Sequence, residues 1–146
     1  MTRLARVALL LCVVVALGLT LSADSPTAAL RDFFRVASRV VDRTTGDRVE
    51  LSFTEAQVLA NVALFVPLGL LLRPALPGVA SSLLLLGAAA ASTGIEVAQY
   101  ALLPERHPDL VDVLANTCGA AVGIVLADDL VRLTHRLQRW RAARRR

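Results

Sequence analysis

Residues 7–21, VALLLCVVVALGLTL, carry no charge, and three further apolar blocks follow at about 57–72, 79–103 and 109–127. About 20 mostly apolar residues cross the hydrocarbon core of a bilayer as a helix, and these blocks approach or exceed that length. A soluble domain of 146 residues alternates apolar with polar positions, whereas here 55% of residues are hydrophobic and only 4% aromatic, gathered in runs. Mean hydropathy is +0.60. The chain therefore reads as an all-α polytopic membrane protein with about four transmembrane helices.

Charge orients these helices. All sixteen basic residues are Arg, and net charge is +4. A basic chain often binds nucleic acid, but here the Arg residues border apolar blocks, where they set topology and meet anionic headgroups. No nucleic-acid partner is expected; membrane lipids are. Arg3, Arg6, Arg73 and the tail from Arg132 to Arg146 fall on one side of a four-helix arrangement. Basic loops stay inside, so both termini are assigned to the cytoplasm of a plasma-membrane protein. Residues 24–56, with five Arg and six acids, and the loop 104–108 then face outward.

The blocks divide the chain. Residues 1–22 form a first transmembrane helix acting as an uncleaved signal anchor; cleavage after Ala23 is the alternative. Residues 23–56 form an extracytoplasmic segment. In it Leu30, Phe33, Phe34, Ala37, Val40 and Val41 share one helical stripe and Arg31, Arg35, Arg39 and Arg43 another, as in a short amphipathic helix at an interface or capping the bundle. Residues 57–127 are a three-helix core and 128–146 a basic helical tail. Pro67 and Gly69 are expected to kink or loosen the second helix, and Gly119-x-x-x-Gly123 to pack helices closely. Cys12 and Cys118 read as small apolar fillers.

Against this apolar background, polar residues crowd into one stretch. With the assigned topology, Asn61 lies one turn below the outer end of the second helix. Glu96 and Gln99 lie roughly 10 and 6 Å below the outer end of the third. Asp112 and Asn116 lie one and two turns into the fourth, which starts at Asp109, and Arg106 sits in the connecting loop. The spacing i, i+3 of Glu96 and Gln99, and i, i+3, i+7 of Asp109, Asp112 and Asn116, gives each set one helix face. Three segments thus bring polar groups to one depth. An ionised acid in mid-membrane costs about 2.5–3.5 kcal/mol on insertion scales, so it faces the interior and finds a partner. Glu96, Asp109 and Asp112 against Arg106 leave negative charge over, which favours a site for a ligand, a proton or a cation above a lock between helices.

These residues carry a resemblance. Asn61 with LFVPLG (64–69), Ser92 with IEVAQ (95–99), then Arg106 and DLVDVLANTCGAAVG (109–123) resemble the VanZ-like family, over roughly residues 59–124. The family's pattern is an Asn and F-x-P-L-G on one helix, S-x-x-I-E-x-x-Q on the next and R-x-x-D-x-x-D-x-x-x-N-x-x-G on the last. It implies a membrane accessory protein, by analogy with the factor that lowers susceptibility to teicoplanin-type glycopeptides.

Three functions follow as expectations. A binding protein would hold a lipid-linked cell-wall precursor or a lipoglycopeptide at the outer leaflet, with effects on the cell envelope or on glycopeptide susceptibility. An enzyme would use the carboxylates of Glu96, Asp109 and Asp112, but no nucleophile–His–acid set or phosphate loop completes it, and His107 stands alone in a loop. No cofactor, metal or catalytic residue is assigned, and a purely structural subunit stays open beside it. A proton-coupled transporter, with Glu96 as carrier, would need oligomers, since four helices without an inverted repeat make a small unit.

Overall fold

The computed structural model describes residues 2–21, 52–103 and 109–144. They form four helices: α1 (Thr2–Leu21), α2 (Phe53–Ala75), α3 (Ser81–Leu102) and α4 (Leu110–Ala143). All are long and apolar enough to cross a membrane, and no strand occurs among the described residues. The all-α polytopic architecture is thus the one the apolar blocks require. The amphipathic helix expected near residues 30–43 lies outside the described residues, as do Arg106 and His107.

Local chemistry moves several boundaries. Helix α2 starts four residues before the expected Gln57 because Ser52 and Glu55 form a capping box. The Ser52 hydroxyl accepts from the Glu55 amide at 3.3 Å, and the Glu55 carboxylate accepts from the Ser52 amide at 2.8 Å. Asp109 caps α4, its carboxylate accepting from the Val111 amide at 2.8 Å. The basic tail is helical as expected and is fused to the fourth span: α4 continues unbroken to Ala143, since no Gly or Pro follows Gly123 to interrupt it.

The helices run alternately up and down. The end holding Leu21, Phe53, Leu102 and Leu110 is called the upper end here. The pair α2–α4, which run parallel, is the centre of the bundle, with α1 against α2 and α3 against α4. A small core of Ala16, Phe65, Leu68 and Ala120 sits among them, and Cys12, Val13 and Ile95 pack on it. Leu10, Leu86 and Leu114 point outward, the inside-out arrangement of a helix bundle surrounded by lipid. Cys118 is exposed as well, so it does not fill the interior as expected; only Cys12 packs inward.

Glycine makes the α2–α4 approach possible. A Cβ at Gly119 would strike the Val62 carbonyl, and one at Gly123 would meet the Val66 carbonyl oxygen and come within 2.6 Å of the Leu70 amide nitrogen. At Gly69 it would strike the Ala120 backbone. Backbones touch here because there are no side chains to hold them apart. The Pro67–Gly69 step therefore does not loosen α2. The helix passes through Pro67 intact, the proline ring is exposed, and Gly69 sits in the tightest part of the seam.

The lower end is closed by polar bonds that run between helices. Arg73 donates to Asp128 at 2.6 Å and to the Val79 carbonyl at 2.6 Å, while Ser81 donates to Asp128 at 2.7 Å. Arg6 donates to the Ala75 carbonyl at 3.0 Å, tying α1 to the end of α2. We predict that Gly123→Leu lowers stability by roughly 1–3 kcal/mol through overpacking, while Gly87→Leu, at a position with nothing within 4 Å, has little effect. Thermal unfolding of the two variants in detergent micelles checks the contrast.

Candidate functional site

Two carboxylates enter the upper half of the bundle, Glu96 from α3 and Asp112 from α4; both are buried. Asp112 faces α2. Its oxygens accept from the Asn61 amide at 2.6 Å and from the Gln57 amide at 3.1 and 3.3 Å. Gln57 and Asn61 stand one turn apart, so both reach the same carboxylate from one helix face. Glu96 instead faces the start of α4, where its Oε2 accepts from the Asp109 backbone amide at 2.9 Å.

One turn deeper, the Asn116 amide donates to the Ser92 hydroxyl at 2.9 Å. Glu96–Asp109 and Ser92–Asn116 are therefore successive rungs between antiparallel α3 and α4, with Asp112 between them turned toward α2. Asn116 is 2% exposed, and its Oδ1 has no hydrogen-bond partner among the described residues. Ser92 supplies a single partner, so turning the amide over would only exchange an orphaned oxygen for an orphaned nitrogen.

The expected residues do not all meet. Asn61, Asp112 and Asn116 lie along the α2–α3–α4 interface, with Glu96 at its top. Gln99 turns away from them: its amide donates to the Thr20 carbonyl at 2.8 Å and joins α3 to α1. That carbonyl belongs to the last turn of α1, so the first helix is part of the bundle's upper end. Asp109 is exposed, and its side chain caps α4. Among the described residues, no group of three or more His, Cys, Asp or Glu side chains is placed to hold a metal ion.

Gln57, Ser92 and Thr20 were not foreseen as members. Gln57 carried a signal, its i, i+4 spacing to Asn61, and Ser92 another, its i, i+4 spacing to Glu96. Thr20 had none, because it contributes a backbone oxygen. The lower set of Arg73, Ser81 and Asp128 was also unforeseen. An acid that ends an apolar run at the same depth as an Arg at the foot of a parallel neighbour could have announced it.

The chain belongs to the VanZ-like family: residues 6–132 match the family model VanZ/LLP1. The match extends well past residues 59–124, over which the motifs agree, and takes in most of α1, the segment 22–51 and the start of the α4 extension. No curated protein and no solved structure matches it.

The site generates a stability prediction. Asn61→Ala withdraws a donor from a buried carboxylate and lowers stability by about 1–3 kcal/mol. Thr93→Ala, whose exposed hydroxyl only turns back onto the Ala89 carbonyl, leaves stability nearly unchanged. Denaturant titration of the micelle-bound protein, followed by circular dichroism, distinguishes these outcomes.

Proposed function

We propose that this VanZ-like protein is a non-catalytic accessory protein of the plasma membrane, with both termini cytoplasmic and its polar cluster opening toward the outer leaflet. Its ligand is lipid-linked or acylated, a cell-wall precursor or a lipoglycopeptide. Acyl chains lie along the apolar outside of the bundle, and the head group meets the polar residues. The observation that carries this reading is the buried Asn116 Oδ1, which has no hydrogen-bond partner among the described residues. A buried acceptor without a donor is a standing cost of about 1–3 kcal/mol, which a ligand N–H or O–H removes. Glu96 and Asp112 make the surroundings acceptor-rich, which suits a head group bearing amide, amine or hydroxyl donors.

The family's association with teicoplanin-type drugs supplies matched probes, since teicoplanin carries a lipid tail and vancomycin does not. Nanodisc-embedded protein is expected to bind teicoplanin or a lipid-linked peptidoglycan precursor in preference to vancomycin. Asn116→Ala is expected to weaken that binding roughly tenfold, the worth of one buried hydrogen bond. Cells making the wild type, but not this variant at equal membrane level, are expected to lose susceptibility to teicoplanin. Binding unchanged in a variant that melts like the wild type would sink the proposal.

A second reading rests on the mutual bonding of the cluster: Asp112 with Gln57 and Asn61, Glu96 with Asp109, and Gln99 with Thr20. On that reading the polar residues only lock the helices. Their removal then lowers the melting temperature, and no lipid-linked probe binds even the wild type.

A further inference from the structure

Below Asp128, α4 leaves the other helices. Asp128 is held by Arg73 and Ser81, whereas every residue from Asp129 to Arg144 is exposed. At 1.5 Å per residue, Leu110–Asp128 rises about 28 Å, close to a hydrocarbon core, and Asp129–Ala143 adds about 22 Å more. That extension is no ordinary polar tail. Leu126, Leu130, Leu133, Leu137 and Trp140 repeat at alternating four- and three-residue steps along one face and are 47–55% exposed. Arg132, His135 and Arg139 lie on the opposite face. Arg136 and Arg141 flank the apolar stripe on its two sides, and the Arg144 guanidinium lies 3.8 Å from the Trp140 ring centroid.

We infer that residues 129–144 form an interfacial arm that docks on an anionic lipid surface. Three observations choose that occupant. The stripe continues the lipid-facing side of the span, where Leu114, Val122, Val125 and Leu126 are exposed. Docking asks α4, continuous through Asp128, to bend just after it toward that side, which lays the apolar face onto the bilayer. The face between and beside the leucines is basic: from Asp129 to Arg144 there are five Arg against one Asp, the charge pattern of a helix lying among anionic headgroups. A second copy fits less well. The repeat is that of a coiled-coil seam, but in a parallel pair Arg136 of one helix would face Arg141 of the other, and Arg144 would fall in the seam itself.

Trp140 is the only tryptophan in the chain and reports directly. The full-length protein is placed one copy per nanodisc, in phosphatidylcholine alone or in an equal mixture with phosphatidylglycerol. Iodide quenching of Trp140 is then measured at low and high salt. The arm predicts that the anionic lipid shields Trp140 from iodide and shifts its emission to the blue, and that salt reverses both effects. Arg136→Gln and Arg141→Gln are each expected to shift the docked-to-free ratio roughly fivefold toward free, as expected for one Arg near an anionic surface. Equal quenching in both lipids overturns the inference. So does shielding that appears only when two copies share a disc, which would assign the stripe to a second copy instead.

Discussion

The backbone contact of α2 with α4 at Gly69, Gly119 and Gly123 governs the rest of this bundle. Between helices in lipid the hydrophobic effect offers little, because the acyl chains are as apolar as leucine. Close approach of small residues supplies dispersion contacts, and it also sets the distance at which polar side chains can reach across. Asn61 and Gln57 are short or medium in length, and they touch Asp112 only because the seam below them is tight. Asp128 likewise reaches Arg73 at the other end of that seam. A polar tie above and another below therefore bracket a stretch of backbone contact.

This arrangement explains how so apolar a chain accommodates acids. Each buried carboxylate is placed where a neighbouring helix presents donors: two side-chain amides for Asp112 and the backbone amide of Asp109, the N-cap of α4, for Glu96. The helix start itself is a donor-rich place, since its first N–H groups have no partner within the helix. Using that end to hold Glu96 joins α3 to α4 beside the loop that connects them. Asn116 stands apart from this economy. Among the described residues its amide nitrogen is paired with Ser92 and its Oδ1 is unpaired, and that asymmetry is what motivates the proposed ligand site.

Much of the fold was legible from composition alone. Four apolar blocks require four helices, because only helices satisfy their own backbone in lipid without closing into a barrel. The spacing of Asp112 with Asn116 showed which face of the fourth helix turns inward. Boundaries were less legible. The capping box at Ser52 and Glu55 lay in the polar stretch assigned to the extracytoplasmic segment, and the tail read as helical while its fusion with the fourth span into one helix did not, because hydropathy, the guide to spans, falls there while helix propensity does not.

The sequence by itself determined the class, the number of spans and the identity of the residues that lipid would force inward, since desolvation penalises those side chains wherever they sit in a span. Tertiary structure alone decided the pairings. Gln99 lies on the same helix as Glu96, three residues on, yet it reaches back to a carbonyl of α1 while Glu96 reaches forward to α4. Periodicity gives a side chain a direction, but a hydrogen bond needs a partner within about 3 Å in that direction, and only the packing of one helix against another puts it there.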